Sequence, residues 1–248
     1  MNKLNYGPAS EYYDLFASKD DIHFCRELVL QHGKKALELG VGTGRVAIEL
    51  AKAKVAVCGI DNSTFMLDVA KKKLKKVSPS LKKRIELKLG DMRTFKTKET
   101  FSFIYIASST FEHCKTKQDQ RKCLASVYKS LQSGGVFTFD ISQSHKKLES
   151  SWWIDQTQLG NQEIVRTVFS KTDPETSIVS ADLFFDVYEK GKLKERYYEH
   201  VEARLSTEKE IEEMLRDIGF MIEEIYGDFS KSAYSQQIRH AVFVCRKA

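Results

Sequence analysis

Residues 36–51 of the chain read ALELGVGTGRVAIELA. A short apolar run is followed by glycines at positions 40, 42 and 44, and then by the apolar spacing of a helix. Glycines permit positive φ angles and let a ligand approach the backbone, and the first turn of the next helix offers unpaired N–H groups. The stretch therefore predicts a strand, a ligand-binding turn and a helix, which is the repeating unit of an open parallel sheet.

Strands and helices alternate along the chain as far as residue 141. The strand-like runs AVCGID, IELKLGD, FSFIYIAS and GGVFTFDI are separated by the helical stretches RVAIELAKA, TFMLDVAKKKLKK and DQRKCLASVYKSL. This order predicts an α/β fold with a parallel sheet and helices on both of its faces.

Beyond residue 141 the helical period gives way to alternation of apolar and polar residues, as in SIVSADLFFDVYE (177–189). We expect an antiparallel insert of three or four strands, with EKGKL (189–193) forming a hairpin turn. A helix with Ser206 as its N-cap and two further strands follow. The sequence thus predicts one domain formed by 1–143 and 205–248, and a β insert formed by 144–204.

The composition limits the classes of protein that remain. The 248 residues include no apolar run of about 18 residues and begin without the features of a signal peptide. The five cysteines are scattered and form no C-x-x-C pair, which is typical of reduced thiols and indicates no metal site. We expect a cytoplasmic protein with no membrane partner, either a monomer or a homodimer.

The net charge of +6 is concentrated in one patch. Residues 71–88 contain nine basic residues and one acidic residue, so the remainder of the chain carries a net charge of −2. Such a run is typical of a solvated helix face. The insert from residue 145 to 204 has nine basic and eleven acidic residues, the opposite of what a polyanion requires. We therefore do not expect a nucleic-acid partner.

The residues that end the predicted strands indicate the ligand. The glycine spacing is G-x-G-x-G, preceded by Glu38, whereas the dinucleotide fingerprint is G-x-G-x-x-G, and no Walker lysine occurs. Asp61 follows the glycines by about twenty residues, where a carboxylate can hold a ribose diol. Asp91 and Met92 end the third strand, and an acceptor beside a soft apolar side chain suits an adenine.

Together these motifs resemble a known family. E-L-G-V-G-T-G (38–44), G-I-D (59–61), G-D-M (90–92), I-Y-I-A-S-S (104–109) and L-Q-S-G-G-V-F-T-F-D (131–140) are similar to the successive motifs of class I S-adenosylmethionine-dependent methyltransferases. The resemblance implies a Rossmann-like sheet of strand order 3-2-1-4-5-7-6 with strand 7 antiparallel, S-adenosylmethionine as cofactor, and methyl transfer as the activity.

The resemblance also implies roles for individual positions. The glycines would pack against the methionine part of the cofactor, Asp61 would bind the ribose hydroxyls with Asn62 and Met66 alongside, and Ala107–Ser108 would close over the sulfonium. The complete set of expected cofactor residues is Glu38, Gly40, Gly42, Gly44, Asp61, Asn62, Met66, Asp91, Met92, Ala107 and Ser108.

The acceptor side is less constrained by the sequence. The tyrosine-rich start of the chain resembles the N-terminal helix that folds over the cleft in small-molecule members, which makes Tyr6 and Tyr12 candidates for substrate binding and Tyr13 a candidate for catalysis. His113, just after the fourth strand, is a candidate base, and His200 in the insert is a second substrate-binding candidate. The alternative for the tyrosines is ordinary packing of the N-terminal helix, and a histidine at the position of His113 is more often a capping or surface residue.

We expect a small-molecule acceptor, an amine or a hydroxyl. Trp152 and Trp153 either supply an aromatic wall for a cation or form the hydrophobic seam that seats the insert. The alternatives are a methyltransferase acting on tRNA or protein, for which Arg166, Arg196 and Arg204 would converge on the cleft, and a module that binds the cofactor without transfer.

Overall fold

The computed structural model describes residues 7–142 and 149–248. Eleven strands lie in these ranges: β1 (Lys35–Leu39), β2 (Ala56–Asp61), β3 (Ile85–Leu89), β4 (Phe101–Ile106), β5 (Leu131–Ser142), β6 (Glu149–Leu159), β7 (Gln162–Asp173), β8 (Ile178–Glu189), β9 (Lys192–Arg204), β10 (Phe220–Tyr226) and β11 (His240–Lys247). The helices are α1 (Tyr13–Phe16), α2 (Asp20–His32), α3 (Arg45–Lys52), α4 (Thr64–Leu74), α5 (Pro79–Lys82), α6 (Lys117–Ser130) and α7 (Glu208–Ile218). None of the helices in the described part of the chain is long and apolar enough to cross a membrane.

A seven-stranded sheet forms the centre of the fold, in the order β3-β2-β1-β4-β5-β11-β10. β1 to β5 are parallel to their neighbours among themselves, whereas β11 is antiparallel to both β5 and β10. When the insert strands are left out of the count, this is the order 3-2-1-4-5-7-6 with strand 7 antiparallel. The predicted fold class is confirmed.

The central strands are apolar on both faces because helices cover both faces. Leu37 and Leu39 of β1 pack in the cluster formed with α6 and α7, while Ala36 of the same strand packs in the cluster formed with α2 and α3. The alternation along each strand thus divides the core into two layers. The rigid sheet between these layers fixes the loops at its carboxyl edge.

The last helix begins one residue later than the sequence suggests. Thr207, not Ser206, is the N-cap of α7, and it forms a capping box with Glu210. The hydroxyl of Ser206 is instead hydrogen-bonded to Gln120 of α6, where it is buried. Gly219 ends α7 with a φ of 108°, as its position predicts.

The insert is a separate four-stranded antiparallel sheet in the order β6-β7-β8-β9. A two-residue turn at Lys190 and Gly191, with φ angles of 50° and 71°, joins β8 to β9. The inner face of this sheet buries Ile164, Leu183 and Phe185 against Tyr12 of the N-terminal segment, which we define as residues 7–17.

The tryptophan pair does not form the seam of the insert. Trp152 is 66% exposed and Trp153 is 42% exposed, because both lie on β6, the outermost strand of the insert sheet. The apolar residues that seat the insert come instead from β7 and β8, and they pack on the N-terminal segment. The prediction of a tryptophan seam is wrong, and neither tryptophan lines the cleft described below.

Candidate functional site

A crevice with about 900 Å³ of empty space, its open mouth included, lies at the carboxyl ends of β1, β2 and β4. Carboxyl ends of parallel strands are where ligands bind in open α/β sheets. Eleven of the residues that sequence analysis singles out line it: Tyr13, Glu38, Gly40, Gly42, Asp61, Asn62, Met66, Met92, Ala107, Ser108 and His113. Eight lining residues were not predicted: Val41, Thr43, Arg45, Val46, Ile60, Ser63, Gly90 and Thr110.

The glycine turn forms the floor of the crevice. Gly40, Gly42 and Gly44 all have positive φ angles, between 52° and 74°, which favours glycine at each position. A Cβ on Gly40 would lie 2.2 Å from the Cγ2 atom of Thr110, whereas a Cβ on Gly42 would meet nothing closer than 3.9 Å. Gly40 therefore allows close packing within the protein, and Gly42 leaves room for a ligand. Gly44 lies outside the lining and packs against Ala70 of α4.

Asp61, at the end of β2, is fixed by backbone donors. Its carboxylate accepts hydrogen bonds from the N–H groups of Gly42 (2.7 Å) and Ser63 (2.8 Å). Burial raises the pKa of Asp61, and these backbone hydrogen bonds act in the opposite direction. The carboxylate thus joins the glycine turn to the start of α4. Asn62 and Met66 line the wall of the crevice beside it.

Glu38 is a buried acid at the bottom of the crevice, only 2% exposed. Burial raises its pKa to about 8, against the effect of a hydrogen bond of 2.7 Å from the Tyr105 hydroxyl. The side chain is therefore a neutral acid at neutral pH. A cationic ligand in the crevice would favour its ionised form.

Arg45, directly after the glycine turn, organises a buried network. Its Nη1 atom donates to Asp21 Oδ1 of α2 at 2.6 Å, and its Nη2 atom donates to Asp21 Oδ2 and to the hydroxyl of Ser108. The Ser108 hydroxyl in turn donates to Asp21 Oδ2 at 3.0 Å. Sequence analysis missed this network because its members are separated by many residues; the arginine next to the last glycine and an acid in the first turn of α2 were the available signals.

Tyr13 and His113, the two predicted catalytic residues, both line the crevice. Tyr13 is hydrogen-bonded to Ser108, and burial raises the pKa of its hydroxyl. His113 Nδ1 lies 3.3 Å from the carbonyl oxygen of Glu202 in β9. Because a carbonyl only accepts, Nδ1 carries the proton of the neutral ring and Nε2 carries the lone pair. Burial lowers the pKa of His113, which keeps the ring neutral at neutral pH.

Asp91 is placed differently from the prediction that it flanks an adenine. It does not line the crevice, and its carboxylate receives hydrogen bonds from Arg93 Nε at 2.9 and 3.0 Å and from the backbone N–H of Arg93 at 2.8 Å. Arg93 also pairs with Asp119 of α6. Met92 lines the crevice as predicted.

Two predicted substrate-binding residues lie away from the crevice. Tyr12 is 8% exposed and packs between Phe185 and Tyr197 of the insert, because the N-terminal segment turns this ring toward the sheet. His200 lies on the outer face of β9 and is hydrogen-bonded to Asp182 at 2.8 Å. Because side chains alternate between the two faces of a strand, the residues on either side of His200 point to the inner face of the insert sheet. Tyr6 lies outside the described residues.

Charged contacts hold the N-terminal segment over the crevice. Asp14 accepts hydrogen bonds from the Thr43 hydroxyl in the glycine turn and from Lys73 of α4. Lys72 pairs with Glu11. Two members of the basic patch thus bind this segment, although we expected the patch to be a solvated face.

The insert holds the same segment from the other side. The Oε1 atom of Glu199 in β9 accepts hydrogen bonds from the N–H groups of Gly7 (2.9 Å) and Ala9 (3.3 Å). No residue of β6 to β9 lines the crevice, within the described part of the chain. The insert therefore supports the cover of the crevice without forming its wall.

The lining fits S-adenosylmethionine. The space above Gly42 admits a ligand close to the backbone, and the acidic groups of Asp61 and Glu38 suit ribose hydroxyls and positive charge. Arg45 lines one wall while it is paired with Asp21, and Met66 and Met92 offer soft apolar contacts. Among the residues that the structure describes, no cluster of His, Cys, Asp or Glu has the arrangement of a metal site.

Comparisons with known proteins agree with this geometry. A family model described as a methyltransferase domain matches residues 36–135, the part of the chain that contains the glycine turn. A protein of Bacillus subtilis (strain 168) named "Putative methyltransferase YqeM" is 29% identical over 90% of this chain and 87% of its own length.

Two solved structures share the fold over 100% of both chains. The CcbJ methyltransferase from Streptomyces caelestis has a TM-score of 0.84 at 24% identity. CalS10, an amino pentose methyltransferase from Micromonospora echinaspora, has a TM-score of 0.76 at 17% identity. The whole architecture, insert included, is therefore shared with methyltransferases.

Proposed function

We propose that the chain is a class I S-adenosylmethionine-dependent methyltransferase and that its acceptor is a small molecule carrying an amine or a hydroxyl. The proposal includes the division into a cofactor-binding domain (1–143 and 205–248) and a β insert (144–204). It also includes a cytoplasmic location, which the five buried and unpaired cysteines support.

The observation that carries the proposal is the state of the basic residues of the insert. A macromolecular substrate would need them to face the crevice, and none of the three arginines lines it. Each is paired with a carboxylate: Arg166 with Asp155, Arg196 with Asp186, and Arg204 with Glu210. The three arginines are therefore engaged within the protein and do not converge on the crevice, as a macromolecular substrate would require.

The cover of the crevice supports the same conclusion. The N-terminal segment lies between the insert and the cofactor-binding domain, held by Asp14 on one side and Glu199 on the other. An acceptor that is enclosed beneath such a cover must be small. The fold is also shared by CalS10, which is described as an amino pentose methyltransferase.

We assign the cofactor contacts by position in the crevice. Gly40, Gly42 and Gly44 shape the turn for the methionine part, and Asp61 holds the ribose, with Asn62 and Met66 beside it. Met92 contacts the adenine, while Asp91 acts by holding Arg93. Ala107 and Ser108 lie over the sulfonium, and Glu38 and Arg45 face the amino-acid end of the cofactor.

The residues on the acceptor side have complementary chemistry. When bound, S-adenosylmethionine supplies a methyl group on a positively charged sulfur, which an acceptor lone pair attacks in line. Neutral His113 is suited to take the acceptor's proton at Nε2. Tyr13 keeps its proton, because its pKa is raised by burial, and positions the acceptor by hydrogen bonding.

Labelled methyl transfer tests the proposal. Purified protein and methyl-labelled S-adenosylmethionine are incubated with a host-cell extract that is divided into small-molecule, RNA and protein fractions. We expect label in the small-molecule fraction, and less of it with a Gly42→Ala variant, whose new methyl group occupies ligand space in the crevice. Label in RNA or protein instead would show that the acceptor is a macromolecule.

Matched histidine variants test the role of His113. With the acceptor found above, His113→Gln should lower kcat by about a hundredfold, the usual contribution of a positioned base, and leave S-adenosylhomocysteine affinity unchanged. His200→Gln is the control, since this residue faces away from the crevice, and it should retain full activity. Equal rates for the two variants would remove His113 from the mechanism.

A further inference from the structure

The turn that follows β4 is held in an unfavourable backbone conformation. Ser108 and Ser109 both have left-handed φ angles, 57° and 54°, which cost free energy in residues other than glycine. Ser108 lines the crevice, so this conformation determines the shape of one of its walls. Contacts from outside the turn must hold it in place.

Asp140, near the end of β5, supplies such contacts from behind the crevice. Its Oδ2 atom accepts hydrogen bonds from the backbone N–H of Ser109 at 2.8 Å and from the Ser109 hydroxyl at 2.9 Å. The residue is 2% exposed, and its Oδ1 atom has no hydrogen-bond partner among the described residues. A buried carboxylate is stabilised when a cation is paired with it.

The cation is His240, the first residue of β11. Its Nε2 atom lies 2.9 Å from Asp140 Oδ2, and its ring is also hydrogen-bonded to the backbone of Gly227. The carboxylate only accepts, so Nε2 donates, and the negative charge of the carboxylate favours the imidazolium form of the ring. Burial opposes this charge, but Asp140, the Gly227 carbonyl and Asp228 outweigh it and raise the pKa of His240.

Two further carboxyl groups, Glu112 and Asp228, lie near this pair. Glu112 is 5% exposed, and burial raises its pKa to about 8. It accepts a hydrogen bond from the N–H of Ser142, the residue that pairs with His240 across the sheet. His240 is thus the cation that balances Asp140.

We propose that the Asp140–His240 ion pair is a positioning element for methyl transfer, which holds the Ser108–Ser109 turn in the conformation that the bound methyl donor requires. Neither side chain lines the crevice, so both act through Ser109. Without the imidazolium the buried carboxylate of Asp140 loses its counter-charge, its contacts with Ser109 weaken, and the wall formed by Ser108 relaxes.

His240→Gln tests the proposal, because glutamine keeps a donor for Asp140 and removes the charge. His200→Gln is the matched control, since His200 makes the same kind of pair with Asp182 on the outer face of the insert. Two properties are measured at neutral pH: the affinity for S-adenosylhomocysteine by calorimetry, and amide hydrogen exchange at Ser109 by NMR.

We expect His240→Gln to weaken S-adenosylhomocysteine binding about tenfold, the effect of one charge-assisted hydrogen bond, and to speed exchange at Ser109 by a similar factor. The Ser63 amide, which donates to Asp61, should keep its protection, and this shows that the fold is intact. His200→Gln should match the wild type. If His240→Gln matches His200→Gln in both properties, the proposal is overturned.

The pH dependence gives an independent readout. The contribution of His240 is present below its raised pKa and is lost as pH rises through it, so the affinity difference between wild type and His240→Gln should shrink above pH 6.5. Asp228, whose pKa is lowered by its hydrogen bonds with Ser232, stays ionised over this range, and Glu112 and Glu38 are present in both proteins. A difference that stays constant with pH contradicts the proposal.

A second variant, Asp140→Asn, keeps the shape of the side chain and removes its charge. It should reproduce the loss of affinity and of Ser109 protection, and wild-type values for both would overturn the proposal. The inference depends on the assignment of the methyl donor to the crevice. Failure of the wild type to bind S-adenosylhomocysteine would refute that assignment, whereas equal binding by wild type and variants would refute only the positioning role.

Discussion

Three glycine-to-alanine variants separate ligand binding from backbone strain. Gly40, Gly42 and Gly160 have φ angles of 73°, 52° and 63°, so alanine at each position is forced into the same left-handed conformation. They differ in what the new methyl group meets. It meets nothing within 4 Å at Gly160, it extends into the crevice at Gly42, and it comes within 2.2 Å of Thr110 at Gly40.

The stability changes follow from these contacts. Gly160→Ala and Gly42→Ala should each lower the free energy of unfolding by about 1–2 kcal/mol, the cost of a left-handed alanine. Gly40→Ala should lose about 1–3 kcal/mol more, because the Thr110 methyl group must move. Denaturant titrations measure all three.

Ligand affinity should follow a different order. Gly42→Ala should weaken S-adenosylhomocysteine binding at least about tenfold, or about 1.4 kcal/mol, because the methyl group occupies ligand space. Gly160 lies on a turn of the insert, so Gly160→Ala should bind S-adenosylhomocysteine as tightly as the wild type does. Calorimetry gives both affinities. If the two variants bind equally well, the ligand does not occupy the space above Gly42, and our assignment of the crevice is wrong.

Three further predictions concern buried and partly buried charges. Between pH 4.5 and about 8 the wild-type carboxyl of Glu112 ionises when the protein unfolds, so the wild type loses stability as the pH rises. The free energy of unfolding of Glu112→Gln, relative to wild type, should therefore rise by up to about 1.4 kcal/mol per pH unit over this range. A difference in denaturant titrations that does not change with pH contradicts this. Asp21→Asn should cost about 3–5 kcal/mol in the same assay by leaving Arg45 unpaired, and a loss below about 1 kcal/mol would refute a buried pair. Glu199→Gln should speed chymotrypsin cleavage within the N-terminal segment (7–17), and unchanged cleavage would mean that Glu199 does not hold it.

Local patterns were sufficient to predict the sheet. Alternating strand and helix periods, together with the glycine turn after β1, predicted a parallel sheet, and the family resemblance implied the strand order that the structure shows. The two-residue alternation of 177–189 identified the insert in the same way. These features are encoded within a few residues of one another, which is why a single sequence reveals them.

The contacts between distant segments were not predictable in this way. Alternation assigns Trp152 and His200 to faces of the insert sheet but does not say which face meets the rest of the protein. Tyr12 was expected in the cleft, yet its ring turns toward the insert. The pairing of Asp21 with Arg45 depends on how α2 and α3 pack, which no local pattern records.

The carboxylate of Asp91 shows a second limit of sequence analysis. Asp91 lies two residues beyond the end of β3, and Arg93, only two residues further on, occupies its carboxylate with three side-chain hydrogen bonds. The position after a strand thus predicted that Asp91 and Met92 lie near the crevice. The neighbouring charge of Arg93 explains why the Asp91 side chain does not face it.

Photo-crosslinking with labelled S-adenosylmethionine tests the central claim most directly, because it locates the methyl donor in the chain. Trypsin releases residues 36–45, which carry the glycine turn, and 99–115, which carry the turn after β4. We predict label in one or both of these peptides, and its loss when excess S-adenosylhomocysteine is present. Label confined to the insert, or label that S-adenosylhomocysteine does not displace, would contradict the placement of the donor in this crevice.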